Sequence, residues 1–541
     1  MTESSLPDLK AGVALSELAD GAMLRGQVDG EDAILLRQGD ALYALGALCS
    51  HYHAELADGL LSGHVLHCPM HHAQFDIRSG EALCAPALDA LPCWRVERAG
   101  AQVFVRERIV AAPRSRRHAP LADVVIVGGG AAGLAAAEML RREAYGGRLT
   151  MISADADAPV DRPNLSKDFL AGSAQADWMP LRDDAWYADN GIELLLNSRV
   201  AAIDVAQRQL RLEGGATRTF GALLLATGAE PVQLAVPGAE PGQVQTLRSF
   251  ADSRAIAAKA ATARSALVIG ASFIGLEVAA SLRARGLEVH VVAPDTVPMQ
   301  RVLGEALGRF VHELHVSHGV HFHLGCMVAK LQGSRATLTD GSSVDAELVV
   351  AGVGVRPSLA LAEQAGLTVD RGVCVDAYLQ TSAAGIYAAG DIARWPDMHS
   401  GERIRVEHWV LAQRQGQVAA LNMLGRRQPF DATPFFWSQH YDVAIQYVGH
   451  AQAWDRIDID GSPSERNCSA RYVKDGRTLA VVTISRDLES LRAERALEND
   501  IAPGEARGEC GEADLDAALK MTFPASDPVA VDMPATPARE A

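Results

Sequence analysis

Two cysteine–histidine pairs near the N-terminus are the residues best suited to bind a metal. Cys49 and His51 are separated by one residue, and sixteen residues later Cys68 is followed by His71 with two residues between them. Two thiolates and two imidazoles are the ligands of a Cys2His2 zinc site, which is one interpretation of this set. The first spacing is tighter than in a usual zinc finger, and the flanking segments alternate like β-strands.

A second interpretation is an iron–sulfur centre. The spacing resembles that of Rieske domains, in which two cysteines hold one iron of a [2Fe–2S] cluster and two histidines hold the other. Further along, Phe75-Asp76, Ser79-Gly80 and Pro86 echo later positions of the Rieske pattern. The resemblance implies that the cluster is bound by Cys49, His51, Cys68 and His71.

The neighbours of these ligands predict the class of cluster. High-potential Rieske proteins carry two extra loop cysteines, and a Ser and a Tyr that donate hydrogen bonds to the cluster sulfurs. Those positions hold Ala54, Met70, Ala73 and Phe75 here. Fewer donors stabilise the reduced cluster less, so we expect a low-potential, ferredoxin-type centre. His53 and His72 fall outside the ligand pattern, and we expect both to face solvent.

A glycine turn between a buried strand and a helix begins after Asp123. Gly128, Gly130 and Gly133 form G-x-G-x-x-G. The first glycine permits the tight turn, the second lets backbone approach a pyrophosphate, and the third lets the helix pack on the strand. Asp155 follows the next apparent strand, where it could accept from a ribose hydroxyl or simply lie in a surface loop.

A second turn of this kind has a departure at its centre. Gly270 and Gly275 match the pattern, but Ser272 stands between them and brings a Cβ to the place where backbone nears the nicotinamide pyrophosphate. The next strand ends at Ala293 rather than at an acidic residue, with Asp295 two residues on. NADH and NADPH therefore both remain candidate donors.

The order of the remaining motifs resembles the pyridine-nucleotide:flavin oxidoreductase family. It matches the subgroup that contains reductases of oxygenase ferredoxins and apoptosis-inducing-factor-like flavoproteins, and the N-terminal Rieske pattern makes the Rieske-containing members of the latter most similar. The resemblance implies that Lys167 and Glu277 meet beside the flavin as the reaction centre. It implies FAD or nicotinamide contacts for Arg162, Lys167, Thr227, Gly228, Glu277, Gly390, Asp391, Glu407, His408, Trp409 and Trp437.

Composition limits the partners. Apolar residues make up 48% of the 541 residues, which is typical of core-forming globular domains. The net charge of −17 provides no basic footprint for nucleic acid. The N-terminus has neither a basic nor an apolar leader region, so we expect a cytoplasmic protein without a membrane span, as a monomer or homodimer.

We predict a multidomain fold. An all-β Rieske domain (1–108) and a linker (109–121) precede an α/β flavoprotein of the glutathione-reductase type. Its FAD-binding domain (122–233 and 352–427) encloses an NAD(P)H-binding domain (234–351). An α+β C-terminal domain (428–500) is followed by an acidic tail (501–541), which we expect to be disordered.

The combined motifs predict an NAD(P)H-dependent flavoprotein reductase. FAD converts between a two-electron nicotinamide and a one-electron [2Fe–2S] centre. The electrons would pass to the Rieske centre, to an external acceptor such as a ferredoxin, oxygenase or cytochrome, or to both. Two alternatives remain: an NADH-responsive redox-sensing interaction protein with little turnover, and a Rieske oxygenase, for which the downstream chain leaves no iron-binding catalytic domain.

Overall fold

The computed structural model describes residues 6–110 and 121–499. The predicted linker falls largely in the gap between these ranges. The predicted acidic tail lies outside the described residues, so both remain predictions.

The N-terminal segment is entirely β-structure apart from short 3-10 turns. Its six-stranded antiparallel sheet has the order β1-β10-β9-β4-β3-β2, and a four-stranded sheet runs β5-β6-β7-β8. Apolar side chains between the two sheets form a core that includes the ligand cysteines. The strands are β1 (Val13–Ala14), β2 (Met23–Val28), β3 (Glu31–Gln38), β4 (Ala41–Gly46), β5 (Leu60–Ser62), β6 (Val65–His67), β7 (Gln74–Asp76), β8 (Ala82–Cys84), β9 (Cys93–Ala99) and β10 (Gln102–Ile109).

The next segment opens with the strand, glycine turn and helix that the sequence predicts. The apolar run after Asp123 is buried on both faces of its sheet, as a central parallel strand requires. Its elements are β11 (Asp123–Val127), α1 (Ala131–Arg142), β12 (Arg148–Ile152), α2 (Asp168–Ala171), α3 (Asp184–Asp189), β13 (Ile192–Leu195), β14 (Val200–Asp204), β15 (Gln209–Leu212), β16 (Thr217–Thr219), β17 (Ala222–Leu225) and β18 (Ala229–Pro231).

A second parallel sheet follows, in the order β19-β26-β20-β21-β22. The helix after its glycine turn is capped by the Ser272 hydroxyl, which accepts from the Gly275 amide. The elements are β19 (Val244–Thr246), α4 (Phe250–Ala260), β20 (Ser265–Ile269), α5 (Phe273–Ala284), β21 (Glu288–Ala293), α6 (Gln300–Ser317), β22 (Val320–Leu324), β23 (Val328–Gln332), β24 (Arg335–Leu338), β25 (Ser343–Asp345) and β26 (Leu348–Ala351).

The chain then returns to the first sheet. A late strand, β29, pairs with β17 and completes the order β13-β12-β11-β17-β29, while the long helix α8 packs on α1. The elements of this return segment are β27 (Val355–Pro357), α7 (Ala360–Gln364), β28 (Val373–Cys374), β29 (Ile386–Ala388), β30 (Ala393–Pro396), β31 (Arg403–Ile404) and α8 (Trp409–Met423).

The C-terminal described segment is one antiparallel sheet and a helix. Its sheet order is β32-β33-β36-β35-β34, and it shares a core with α5 and α6 of the second dinucleotide unit. The elements are β32 (Phe435–His440), β33 (Val443–Gly449), β34 (Arg456–Ser462), β35 (Asn467–Lys474), β36 (Arg477–Ile484) and α9 (Asp487–Asn499). Among the described residues, no helix is both long and apolar enough to cross a membrane.

Candidate redox site

Each cysteine–histidine pair lies in a six-residue loop closed by a backbone hydrogen bond. The amide of Cys49 donates to the carbonyl of Ala54 at 2.9 Å, and the amide of Cys68 donates to that of Ala73 at 2.8 Å. The residue before each alanine has a left-handed φ, of 55° and 61°. The two loops therefore have the same form and bring their side chains to one place.

The four side chains meet as a thiol pair and an imidazole pair. His51 Nδ1 lies 3.2 Å from His71 Nδ1. Burial lowers the pKa of His51 to about 4 and that of His71 well below its usual value, so both rings are neutral, as metal ligands must be. A hydrogen bond from Cys49 lowers the pKa of Cys68, which favours its thiolate. This donor set fits the two unlike irons of a Rieske cluster.

His72 is not the solvent-facing residue that we expected. Its ring is fully buried, stacks on Phe435 at 3.9 Å between centroids, and places Nδ1 2.7 Å from Glu494 Oε2. The expectation was wrong because the second ligand loop packs against the C-terminal domain, whose residues are remote in sequence. His72 also has a left-handed φ of 61°, a backbone conformation that favours glycine. His53 is exposed, as expected.

A buried ion pair holds the Rieske loop against the flavoprotein. Arg414 Nη1 lies 2.6 Å from Glu494 Oε1, and Nη2 donates to the carbonyl of His72 at 3.0 Å. The amide of Ala85 donates to Gln417 on the same helix. The Arg414 and Glu494 charges lie away from water but are paired with each other and hydrogen-bonded. This network connects three segments of the chain at one point.

A cavity of about 1270 Å³ lies among the described residues. It exceeds the ~300–1,000 Å³ of ordinary small-ligand pockets, as a dinucleotide cofactor requires. The structure brings most of the predicted site residues to its wall. They are Gly128, Gly130, Asp155, Arg162, Lys167, Thr227, Gly228, Glu277, Gly390, Asp391, Glu407, His408, Trp409 and Trp437.

The other predicted glycine-turn residues lie within the turns themselves. A Cβ on Gly133 would come within 2.0 Å of the carbonyl oxygen of Gly128, so this position needs glycine for helix–strand packing. A Cβ on Gly275 would come within 2.2 Å of the carbonyl oxygen of Gly270. The Ser272 hydroxyl donates to the Gly352 carbonyl at 2.8 Å, so it is bonded inside its own turn.

The cavity carries positive charge beside the first glycine turn. The Arg162 guanidinium is adjacent to Gly130, and burial lowers its pKa to about 10. Arg248 binds Asp391 at 2.6 Å, and Arg162 contacts Asp155 at 3.2 Å. Two partly buried guanidiniums beside the backbone of the glycine turn suit a pyrophosphate. Within the described ranges, four cavity-lining residues have a buried side-chain atom without a hydrogen-bond partner, as a polar cofactor would require: Arg248 Nε, Ser358 Oγ, Glu407 Oε2 and His408 Nδ1.

Lys167 and Glu277 form a pair at the cavity wall. Their side chains meet at 2.8 Å and are 15% and 5% exposed, so they are not a surface salt bridge. The Ser166 hydroxyl also donates to Glu277 at 2.6 Å. Burial opposes ionisation of Glu277, but the positive charge of Lys167 holds its pKa below the usual value. The pair therefore places a fixed cation and a fixed anion beside the cofactor cavity.

Trp437 connects the cavity with the cluster ligands. It lines the cavity, and its ring centroid lies 3.9 Å from that of His71. Tyr52, beside the other histidine ligand, donates its hydroxyl to Asp161, at the start of the segment that carries Arg162 and Lys167. The loops that carry His51 and His71 are thus packed against the part of the cavity wall formed by Trp437 and the segment of Arg162 and Lys167.

Comparison with known proteins decides the family. A model described as pyridine nucleotide-disulphide oxidoreductase matches residues 122–416, more than half of the chain. The chain belongs to this oxidoreductase family. Models of the Rieske [2Fe–2S] domain and of the reductase C-terminal domain match residues 11–95 and 435–520.

Relatives cover most of the molecule. Apoptosis-inducing factor 3 from Homo sapiens is 31% identical over 87% of this chain and 81% of its own length. The 5,5'-dehydrodivanillate O-demethylase ferredoxin reductase subunit from Sphingobium sp. is 36% identical over 68% of this chain and 91% of its own. The solved putidaredoxin reductase–putidaredoxin complex is 31% identical with a TM-score of 0.68, over 71% of this chain and 94% of that one.

These findings confirm the predicted family, fold class and cofactors. The protein is an FAD-dependent NAD(P)H oxidoreductase with a Rieske [2Fe–2S] domain. The sequence analysis missed Arg248, Arg414 and Glu494. Arg248 follows no motif. Arg414 and Glu494 are 80 residues apart, and both lie more than 300 residues from their shared partner His72, so no local pattern could have indicated them.

Proposed function

We propose that electrons from NAD(P)H pass through FAD to the chain's own Rieske cluster, and from there to an external one-electron acceptor. The observation that carries the proposal is the contact between Trp437 and His71. One residue lines the cofactor cavity and the other is a cluster ligand, so a single indole ring separates the two redox sites. Electron tunnelling weakens steeply with distance, and such contact favours direct transfer.

The chain's residues have separable parts in this function. Bound FAD supplies the conversion between two-electron and one-electron chemistry. Arg162 and Arg248 hold the pyrophosphate, and Asp155 and Asp391 accept from sugar hydroxyls. Lys167 stabilises negative charge at the flavin edge, because its ion pair with Glu277 at 2.8 Å holds it in place.

The geometry of the ligand loops favours the internal cluster as the first electron acceptor. His71 of the Rieske domain packs on Trp437 at the cavity wall. In the same loop as His71, Met70 is 41% exposed. We propose that a ferredoxin-type protein, an oxygenase component or a cytochrome receives electrons at the exposed surface around Met70, in the cytoplasm.

An alternative is a redox-sensing interaction protein with little turnover. The buried Arg414–Glu494 pair supports this alternative, because it connects the loop that carries Cys68 and His71 to the C-terminal domain. The two functions differ in turnover. A sensor would form a long-lived reduced complex with NADH and pass few electrons on.

An anaerobic titration with NADH tests the proposal. We expect the flavin absorbance to bleach and the electron paramagnetic resonance signal of a reduced Rieske cluster to develop within the same titration. With cytochrome c added, we expect many turnovers. A flavin that bleaches beside a cluster that stays oxidised would contradict the proposal, and a stable reduced complex without turnover would favour the sensor.

A further inference from the structure

A line of hydrogen-bonded side chains runs from Glu277 through the C-terminal domain to the surface. Ser438 Oγ lies 2.6 Å from Glu277 Oε1, and His440 Nε2 lies 3.1 Å from Ser438 Oγ. His440 Nδ1 lies 3.2 Å from His315 Nε2, and the Tyr441 hydroxyl lies 3.3 Å from His315 Nδ1. We infer that Ser438, His440, His315 and Tyr441 form a proton relay between Glu277 and solvent.

The relay crosses the protein interior without a break. His440 and His315 are fully buried and Ser438 is nearly so, whereas Tyr441 is partly exposed. Tyr441 stacks on His318, which is also partly exposed, at 3.6 Å between ring centroids. Histidines that merely fill a core also need hydrogen-bond partners. Here both nitrogens of both buried rings are bonded to groups that can themselves take and give a proton.

The direction of every hydrogen bond follows from the ionised carboxylate. Glu277 can only accept, so Ser438 donates to it. Ser438 then accepts from His440 Nε2–H, which leaves His440 Nδ1 to accept from His315 Nε2–H. His315 Nδ1 in turn accepts from the Tyr441 hydroxyl. With these assigned tautomers, each of the four donors points toward Glu277, and every group in the line donates or accepts a hydrogen bond within it.

These hydrogen-bond directions are the ones that remain after a proton has moved outward from Glu277 to solvent. Before the transfer, both histidines carry their proton on Nδ1 and every group donates outward. A proton placed on Glu277 then moves to Ser438, which passes its own proton to His440 Nε2. His440 releases its Nδ1 proton to His315 Nε2, and His315 releases its Nδ1 proton to Tyr441, which gives one to water. Each group then donates toward Glu277, as it does in the structure. The resting protein is therefore a relay that has just discharged, and both histidines must regain the Nδ1 proton before the next transfer.

The electrostatics of the line agree with this function. Burial lowers the pKa of His440 to about 4, with Glu277 acting to raise it and Lys167 to lower it. Burial lowers the pKa of His315 well below its usual value, helped by His440, His318 and His312. Both rings are therefore neutral at pH 7. A neutral imidazole has one donor and one acceptor nitrogen, so it transmits a proton without keeping a charge.

The proposed function requires an exit for a proton. Oxidation of NADH by two one-electron acceptors yields NAD+, two electrons and one proton. The two electrons leave toward the cluster, which takes no proton in that balance, so one proton per NADH must leave the flavin end of the cavity. This inference rests on the proposed electron path. The relay begins at the Lys167–Glu277 pair, on the wall of that cavity.

Proton release can be measured directly in the holoenzyme. The enzyme is reduced with one equivalent of NADH under anaerobic conditions and mixed with ferricyanide in weakly buffered phenol red. In the wild type, we expect dye acidification to keep pace with ferricyanide loss. In His315→Gln, which keeps a donor and an acceptor but transmits protons poorly, acidification should lag at least tenfold. His440→Gln should lag similarly and serves if His315→Gln does not fold.

His321→Gln is the matched control, since His321 is an exposed histidine of the same domain that stacks on His290 outside the relay. Equal acidification rates in the wild type, the control and either relay variant would overturn the inference. In oxidised protein, nitrogen-15 magnetic resonance of the imidazoles should show both relay histidines neutral and protonated on Nε2, and a ring protonated on Nδ1 would also overturn it. Ferricyanide accepts electrons whether or not the cluster does, so failure of the proposed electron path remains distinguishable.

Discussion

The indole of Trp437 packs on the imidazole of His71, with 3.9 Å between the ring centroids and 39° between the ring planes. One residue belongs to the reductase C-terminal domain and the other to the Rieske domain. The contact places a proposed cluster ligand against the wall of the proposed flavin cavity. A reductase and its one-electron carrier are thereby joined in one chain at contact distance.

Replacing Trp437 with leucine should slow electron arrival at the cluster. The indole fills the space between cavity and ligand, and leucine leaves part of it empty. In stopped-flow mixing with NADH, we expect the ratio of the cluster bleaching rate to the flavin bleaching rate to fall at least tenfold. Trp178→Leu, at a 61% exposed position, is the control. An unchanged ratio in Trp437→Leu would show that the indole has no part in the path.

Lys167→Ala should slow the reduction of flavin by NADH. The change removes the cation at the cavity wall and leaves the Glu277 carboxylate buried without its main partner. We expect at least a tenfold loss in the stopped-flow rate of flavin bleaching. Lys259→Ala, on the exposed face of α4, should match the wild type. A rate for Lys167→Ala within about twofold of the wild type would refute the assigned role.

Cys68→Ser should lose the Rieske spectrum and keep the flavin. The reason is that Cys68 belongs to the Rieske domain, whereas the cavity proposed for FAD is lined mainly by the oxidoreductase domain. Iron and acid-labile sulfide assays should both fall to background in this variant. The control is Cys84→Ser, which changes a cysteine outside the ligand loops and should keep both assays at wild-type values. Stoichiometric zinc without sulfide in the wild type would establish the zinc interpretation instead.

Arg414→Met should destabilise the protein strongly. The variant leaves the Glu494 carboxylate buried without its cation, a loss of about 3–5 kcal/mol in comparable buried pairs. We expect a large drop in the urea midpoint of unfolding. Arg309→Met breaks an exposed pair with Glu305 on α6 and should cost about 0–1 kcal/mol. Similar midpoints for the two variants would mean that the buried network does not hold the domains together.

Phe75→Tyr should raise the reduction potential of the cluster. Phe75 is fully buried in the core that surrounds the ligand cysteines, at the position where high-potential Rieske proteins have a tyrosine donor. A hydroxyl directed at a cluster sulfur stabilises the reduced state. Redox titration should show a positive shift, with Phe104→Tyr in the same domain as control. A potential that is unchanged or lower would mean that the added donor does not reach the cluster.

Local patterns predicted the parts of the site whose function depends on neighbouring residues. The two ligand loops and the Gly128 turn each lie within a few residues, so sequence spacing determines their geometry. The Lys167–Glu277 contact could be expected only from the family resemblance, because nothing local connects the two residues. The structure places them 2.8 Å apart.

The interfaces between domains could not be predicted in this way. The sequence predicts His72 as a solvent-facing loop residue, but in the structure it is buried against Glu494 on α9. The relay likewise joins α5 and α6 to β32, which lies more than a hundred residues later in the sequence. Such contacts depend on how whole domains pack, and a single sequence carries no periodicity or spacing that reports on that packing.

The most direct test of the account is the concentration dependence of cluster reduction after anaerobic mixing with NADH. If electrons pass from flavin to cluster within one chain, the cluster bleaches with a first-order rate constant that stays the same over a tenfold range of protein concentration. A rate constant that rises in proportion to protein concentration, or a cluster that remains oxidised after the flavin is reduced, would contradict the account.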